Sequence, residues 1–274
     1  MNKKIAKILT LTATIALFFL YIYPFILVVI NSFKDRASVI RDPMSLPDSL
    51  DFSNFFAAYT TMDFTTAVIN SIMVTTISIV LIIFFASMLA YFLQRWDWKI
   101  NKTIFTVLVL SMIIPFQVVM LPFVVIYGSV FGVLDSLPTL IFAYLGFGVA
   151  QSTFLYHGFI KSIPRELEEA AAIDGAGRIR TFFQVVFPIL KPITSTIAIL
   201  NVLWIWNDFL LPSIVITSAS NRTIPLSTFA FFGRFTADFG VAMAGLLLAI
   251  IPIIAFYLVL QKHIIKGISD GAIK

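Results

Sequence analysis

Six long, predominantly apolar stretches dominate this chain, and each is close to the length of a helix that crosses a lipid bilayer. A spanning helix needs about 20 mostly apolar residues. The stretches cover approximately residues 6–30, 66–93, 104–127, 138–160, 192–213 and 239–261. Because peptide groups in lipid must hydrogen-bond within the protein, helices are the expected structure. The sequence therefore predicts an all-α membrane protein with six transmembrane helices in a single domain, residues 1–274.

Composition favours this class over the alternatives. Hydrophobic residues make up 59% of the chain and charged residues 12%, whereas a soluble domain has about 25% charged residues. A transmembrane β-barrel would instead show short segments of alternating polarity. The first stretch follows Lys3 and Lys4 as a signal peptide would, but its apolar run is too long and has no clear cleavage site. We therefore interpret it as the first span.

Few side chains of this sequence are suited to metal or thiol chemistry. The chain has no cysteine and two histidines, His157 and His263, so zinc clusters, Cys-His catalysis and disulfides lack their residues. We predict no metal site and no catalytic residue. The net charge of +5 comes from basic residues in short groups between the spans, a pattern that does not favour nucleic-acid binding.

The distribution of lysine and arginine predicts the orientation. With the N-terminus inside, 14 of the 19 basic residues fall on the cytoplasmic side and 5 outside. Cytoplasmic loops of membrane proteins carry such an excess. We therefore predict that both termini are cytoplasmic, together with the loop 161–191 between spans 4 and 5. Pro115 and Pro122 should bend the third span or free its carbonyl groups.

The loop 161–191 has the features of a helical hairpin. Pro164 suits a first helical turn, and Glu166, Glu168 and Glu169 follow it, where acids favour a helix start. Gly175 and Gly177 should end this helix through positive φ angles. A second helix, 178–187, should then run to Pro188.

The first of these helices has a small-residue face at helical spacing, formed by Leu167, Ala170, Ala171 and Asp174. Two interpretations remain open for it. The loop could be an amphipathic connector on the lipid headgroups, or it could dock on a cytoplasmic protein. The alanine face and the flanking charges favour docking, because they allow close approach and charge-assisted hydrogen bonds.

The same loop resembles the EAA loop of bacterial ABC importer permeases. The matching residues are Glu169-Ala170-Ala171, then Gly175, then Val185-Val186-Phe187-Pro188, with Val and Phe at positions where Ile and Leu are usual. Nearly the whole chain is similar to the carbohydrate-importer branch, specifically to maltose-permease G-type subunits. The segments that carry this wider similarity are "IIPFQVVMLP", "IPRELEEAAAIDGAG", "WIWNDFLLP" and "GISDGAIK".

This resemblance implies a subunit of an ATP-driven importer in a prokaryotic cytoplasmic membrane. The implied partners are a second, F-type permease, a cytoplasmic ABC ATPase dimer and an extracytoplasmic solute-binding protein. The loop 161–191 would be the coupling helix that fits a cleft on the ATPase. Its implied contact residues are Glu168, Glu169, Ala170, Ala171, Asp174, Gly175, Phe182 and Pro188. The chain lacks a G-x-x-x-x-G-K-[ST] loop, so ATP and Mg²⁺ are expected on the partner ATPase and no cofactor on this chain.

Two further segments are candidate sites. Trp204, Trp206, Asn207 and Asp208 lie near the outer end of span 5, where an ionisable residue indicates a function in the translocation pathway; interfacial anchoring and structural hydrogen bonding are the alternatives. The tail from Gly267 through Gly271 to Lys274 would fray as an ordinary terminus. The resemblance instead implies that the tail reaches between the two ATPase subunits.

The resemblance therefore implies a non-catalytic permease subunit for a sugar or oligosaccharide. A permease for another small solute is the nearest alternative. A channel or secondary carrier would predict charged residues at the span centres, which are almost free of them. A membrane scaffold would explain the spans but not the EAA match.

Overall fold

The computed structural model of the chain describes residues 3–231 and 238–272, which are helical almost throughout. The helices are α1 (Lys3–Asn31), α2 (Arg36–Arg41), α3 (Ser53–Thr61), α4 (Phe64–Arg95), α5 (Lys99–Ser111), α6 (Phe116–Val124), α7 (Leu137–Ile160), α8 (Glu166–Ile173), α9 (Arg178–Thr181), α10 (Phe187–Ile189), α11 (Lys191–Asn207), α12 (Leu210–Val215), α13 (Ile224–Ser227) and α14 (Phe239–Ala272). π-helical turns extend α6 over Val125–Val130 and join α9 to α10 over Phe182–Val186. The predicted all-α class is confirmed, since these described ranges contain no β-strand.

Three described helices are long and apolar enough to cross a membrane: residues Lys7–Asn31 of α1, α4 and α7. Two bent pairs bring this number to five if each pair is one span. One pair is α5 with Phe116–Val130, and the other is Arg178–Ile189 with α11. The described apolar part of α14, Phe239–Ala255, is shorter. The exact number of six spans stays a prediction.

The third stretch is not the continuous helix 104–127 that its apolar pattern predicts. It consists of α5 and α6 at an angle of 97°. Pro115 lies at the break and has an extended backbone, with φ −63° and ψ 138°. The helix breaks here because proline cannot donate a backbone hydrogen bond and disfavours helix in the residue before it. The predicted bend at Pro115 is confirmed, whereas Pro122 lies inside α6.

The fifth stretch also differs from the predicted helix 192–213. Helix α11 ends at Asn207, Asp208 is extended with ψ 127°, and α12 begins at Leu210. The sixth stretch is longer than predicted, because α14 continues past residue 261 to Ala272. The second and fourth stretches, in contrast, become α4 and α7 with ends within two residues of the prediction.

Helices α4, α7 and α11 pack around a common core. Gly148 of α7 faces α4 so closely that a Cβ atom there would lie 2.5 Å from Cδ1 of Ile82. Small residues allow helices in a membrane to approach in this way. The fully buried Tyr144 and Tyr156 of α7 fill the core on either side. Helix α4 is therefore fixed along its length, and its last turn is a firm support for the loop that follows α7.

A polar connection fixes the opposite end of this core. The carboxylate of Asp135, just before α7, accepts hydrogen bonds from the amides of Thr217 and Ser218 at 2.9 and 2.8 Å and from the Ser218 hydroxyl. The Asn221 side chain donates to the Asp135 carbonyl at 2.9 Å. We call these four residues the Asp135 clamp. The clamp holds the segment after α12 against the turn that precedes α7.

Candidate functional site

The helical hairpin predicted for residues 161–191 is present, and its first helix ends as its glycine predicts. Helix α8 has Glu166, Glu168 and Glu169 in its first turn. Gly175 has φ 81°. The amide of Ala176 donates to the carbonyl of Ala171 at 2.9 Å, and that of Gly175 to Ala172 at 3.0 Å. This pair of bonds is a Schellman motif, which satisfies the free carbonyls at a helix end.

Two details of the hairpin were predicted wrongly. Gly177 does not have the predicted positive φ, because its φ is −68° and its ψ is 162°. One left-handed residue, Gly175, is enough for the Schellman motif, and Gly177 is already the N-cap of α9. Pro188 does not end the second helix, which continues through a π-helical turn to Ile189. Pro188 lies just after the π-helical turn and one residue before the helix ends, so the hydrogen bond that its missing N–H cannot make falls in the last turn. The sharp bend of 75° follows, between Ile189 and Lys191.

The side chains of α8 divide between an exposed and an inward side. Glu169, Ala170 and Asp174 are exposed, and Ala171 is half-buried. Ile173 is 87% exposed, and Ile179 of α9 is 73% exposed. We call Glu169, Ala170, Ile173, Asp174 and Ile179 the exposed loop surface.

The two isoleucines were missed by the sequence analysis. Their signal was present, because both are large apolar residues in a charged segment outside every predicted span. Exposed apolar side chains of this kind, beside charges, are typical of a surface that meets another protein.

Glu168 lies on the inward side of α8 and contacts the last turns of α4. Its Oε1 atom is 2.6 Å from Nε of Arg95, and its Oε2 atom accepts a hydrogen bond of 2.7 Å from the Tyr91 hydroxyl. The Arg95 and Glu168 side chains are only 7% and 15% exposed. We call Tyr91, Arg95 and Glu168 the Glu168 cluster. Both oxygens of Glu168 are thus bound within the chain, and its direct contact with the ATPase stays a prediction.

The other predicted residues of the hairpin have different environments. Phe182 is 3% exposed and packs against Tyr91, with 5.1 Å between the ring centroids. It is therefore a core residue beneath the loop and not part of its surface, and it also contacts the rings of Phe183 and Phe187. Pro188 is exposed.

The pathway candidates near the end of α11 are partly brought together. Asp208 accepts a hydrogen bond of 3.0 Å from Tyr144 and one of 2.9 Å from the Leu210 amide. The Trp204 ring contacts Tyr144 edge-on at 5.4 Å. Asp208 thus fixes the break between α11 and α12, and Tyr144, which no sequence signal singled out, is its partner.

Trp206 and Asn207 face away from this contact. Trp206 packs against the core formed by α3 and the first turns of α14, and Asn207 is exposed. Both line a cavity of about 450 Å³ that also includes Phe209 and Phe229. Its lining is mostly apolar, so the four candidates do not form one polar site.

The tail candidates differ from the expected flexible segment. Gly267 and Gly271 lie within α14, which remains helical to Ala272. Lys274 lies outside the described residues. In the described ranges, no group of three or more acidic, histidine or cysteine side chains could hold a metal ion.

Comparisons with known proteins agree on one kind of protein. Residues 82–270 match the family described as binding-protein-dependent transport system inner membrane component. A probable starch degradation products transport permease of Thermoanaerobacterium thermosulfurigenes is 41% identical over 260 residues, covering 95% of this chain and 94% of its own. The melibiose/raffinose/stachyose import permease of Bacillus subtilis is 36% identical over 274 residues, covering 99% and 98%.

The fold is similar to that of a solved importer chain. A chain of a bacterial ABC transporter involved in the import of alginate, an acidic polysaccharide, superposes with a TM-score of 0.77 and 20% identity. The overlap covers 95% of this chain and 97% of that chain. At this identity the similarity concerns the fold alone.

Proposed function

This chain belongs to the family of binding-protein-dependent transport system inner membrane components, and from that membership we propose that it imports a sugar or oligosaccharide. It is a permease subunit of an ABC importer and is non-catalytic, since ATP hydrolysis belongs to separate subunits. The named solutes of its relatives, starch degradation products and melibiose, raffinose and stachyose, support a carbohydrate of a few units.

The exposed loop surface is the proposed contact with the ATPase. The observation that carries this proposal is Ile173, which is 87% exposed on a helix with no buried residue. Covering such a side chain is favourable, and the charges beside it favour a protein partner over the lipid surface. Glu169 beside it offers a charged contact, and the alanine at 170 leaves room for a close approach.

The proposed topology has six spans with both termini in the cytoplasm of a prokaryotic cell. It counts as spans α1, α4, α7 and α14, the bent pair of α5 with Phe116–Val130, and the predicted fifth span 192–213, which begins in α11 and ends in α12. Residues 178–189 belong to the cytoplasmic loop. The excess of basic residues on one side supports this orientation. The proposed partners are a second, F-type permease, an ABC ATPase dimer that binds ATP and Mg²⁺, and an extracytoplasmic solute-binding protein.

Two further assignments rest on the resemblance. We place Trp204 and Asn207, which are exposed, beside the translocation pathway, with Trp206 and Asp208 supporting them from the core. The C-terminal tail, with Gly267, Gly271 and Lys274, would reach between the two ATPase subunits.

The proposal is tested in proteoliposomes that contain the complete importer with ATP available to the ATPase. Radiolabelled maltotriose and raffinose are the probes for binding-protein-dependent uptake. We expect Ile173→Asp to abolish copurification of the ATPase and uptake, because it places a charge in an apolar contact. Ile40→Asp is the matched control, since Ile40 is 62% exposed on α2 in the loop predicted to lie outside.

Two results would contradict the proposal. Normal ATPase copurification by Ile173→Asp would remove the coupling assignment. Failure of the intact importer to take up either sugar, together with uptake of a non-carbohydrate solute, would remove the substrate assignment.

A further inference from the structure

We propose that Arg95 and Tyr91 are positioning residues that fix α8 to the end of α4, so that a displacement of α8 is passed to α4 and thereby to the helical core. The inference rests on the proposed contact between α8 and an ATPase. It concerns different residues from that contact, because the Glu168 cluster lies on the inward side of α8 and the exposed loop surface lies outside.

Helix α8 has little apolar contact that could hold its orientation. None of its eight residues is buried. Apart from the Schellman motif that joins α8 to α9, the charged and polar contacts of Glu168 are therefore the main connection to the membrane helices. Helix α8 also lies against the π-helical turn Phe182–Val186, so we expect loss of the Glu168 contacts to loosen its attachment to α4 without detaching the hairpin.

Arg95 binds the chain at two points. Its Nε atom donates to Oε1 of Glu168 at 2.6 Å, and its Nη2 atom donates to the Ile163 carbonyl at 3.0 Å. Ile163 precedes α8 and Glu168 lies in its first turn, so one planar guanidinium fixes both the entry to the helix and the helix itself. Arginine is suited to this because its donors have a rigid, forked geometry.

Tyr91 adds a third contact from the same helix. It lies one helical turn before Arg95, so both side chains project from the same face of α4. The Tyr91 hydroxyl donates to Oε2 of Glu168 at 2.7 Å. Since each carboxylate oxygen has its own donor, rotation of the Glu168 carboxylate breaks at least one bond.

The aromatic side chains around the cluster attach the second arm of the hairpin. The Tyr91 ring packs against Trp96 at 5.8 Å and against Phe182 at 5.1 Å. The Arg178 guanidinium lies 5.2 Å from the Trp96 ring centroid, within cation-π distance. Both arms of the hairpin thus meet the end of α4 at one place.

A nearby ion pair provides the matched control. Lys102 and Asp97 are 2.9 Å apart, but their side chains are 74% and 80% exposed. Exposed ion pairs contribute little. Lys102→Met should leave binding-protein-stimulated ATP hydrolysis unchanged, although it removes an ion pair that lies just after the end of α4.

The test compares ATPase copurification with ATPase stimulation in the complete importer. We expect Arg95→Met to retain copurification of the ATPase and to lower binding-protein-stimulated ATP hydrolysis about tenfold, as loss of a charged hydrogen bond suggests. Tyr91→Phe keeps the aromatic packing and should give a smaller decrease of the same kind. It also serves as the test if Arg95→Met does not accumulate in the membrane.

A covalent link separates positioning from a general structural role. The chain has no cysteine, so Arg95→Cys with Glu168→Cys can be joined by a short bifunctional thiol reagent. We expect the linked double variant to regain stimulated hydrolysis, whereas the unlinked one remains low.

Two results would overturn the inference. One is unchanged stimulation in Arg95→Met or, where that variant does not accumulate, in Tyr91→Phe. The other is a failure of the link to restore stimulation. Loss of copurification in Ile173→Asp with normal stimulation in Arg95→Met would support the coupling surface and refute the positioning role, so the two proposals fail separately.

Discussion

The Glu168 cluster and the Asp135 clamp each use one carboxylate to fix a loop to the helical core, but their donors differ. Glu168 is bound by a buried arginine and a tyrosine hydroxyl. Asp135 is bound by two backbone amides and a serine hydroxyl, with no basic side chain among these donors. The hydroxyl and the amides lower the pKa of Asp135 below its ordinary value of 3.8.

The difference predicts different consequences of losing each carboxylate. Removing one partner of a buried ion pair leaves the other charge without compensation. Removing Asp135 leaves neutral amides that water can reach, because the Thr217 amide belongs to an exposed residue. Removal of the carboxylate should therefore lower stability more in the Glu168 cluster than in the Asp135 clamp.

Glu168→Ala should have the largest effect. It leaves Arg95 buried and unpaired, which costs about 3 kcal/mol of stability in comparable cases. Denaturant unfolding of the purified complex measures this loss. The double variant Arg95→Met with Glu168→Met removes both charges and should be more stable than Glu168→Ala. Equal stability of the two variants would mean that the pair is not effectively buried.

Gly175→Val should come next, because it places a β-branched residue at φ 81°. Such a residue in the left-handed region costs about 1–3 kcal/mol. No neighbouring atom would contact the new Cβ, so the effect is backbone strain alone. Gly177→Ala is the control, because φ −68° suits any residue. Coupling is measured as binding-protein-stimulated ATP hydrolysis. An equal decrease in both variants would argue against the Schellman motif as the cause.

Glu168 and Gly175 show what the sequence can predict about the loop. Acids at the start of a helix and a glycine at its end are local signals, and α8 begins and ends near the predicted residues. Which of three nearby glutamates turns inward depends on Arg95, which is distant in sequence and looked like one of many basic residues at the ends of spans. Ile173 lies outside the small-residue face of Leu167, Ala170, Ala171 and Asp174, so the helical spacing did not predict it as a contact residue.

The spans show the same limit. Hydropathy predicts where apolar residues begin and end, and α4 and α7 agree closely with it. Hydropathy does not report direction. The 97° bend of the third stretch was indicated by Pro115 and not by its apolar pattern, and the break at Asp208 that separates α11 from α12 was not predicted. The contact between Tyr144 and Asp208 that holds the second break joins residues of separate spans.

Asp135→Ala should have a smaller effect than either variant of the loop. It should speed hydrogen exchange of the Thr217 and Ser218 amides several-fold and leave ATPase stimulation near normal. Mass spectrometry of the exchanged complex measures this. Stimulation as low as in Glu168→Ala would show that the two carboxylates are equally important, contrary to the comparison.

Acid should release the Asp135 clamp without a mutation. A carboxyl group whose pKa is lowered on folding stabilises the chain above its ordinary pKa of 3.8, and this contribution is lost as the pH falls through the lower folded value. Pepsin cleavage between residues 216 and 222 should therefore increase below about pH 4. Asp135→Asn cannot titrate, so a pH dependence that persists in it would assign the change to another group.

The proposed ATPase contact of the exposed loop surface can be tested by a single cross-link. Because the chain has no cysteine, Ile173→Cys introduces one reactive thiol, and Leu46→Cys, at a residue that is 76% exposed in the opposite loop, is the control. In the assembled importer, a bifunctional thiol-amine reagent should join Ile173→Cys to the ATPase subunit and should not join Leu46→Cys to it. A transport-competent importer in which Ile173→Cys gives no ATPase adduct, or in which Leu46→Cys gives the same adduct, would contradict the account.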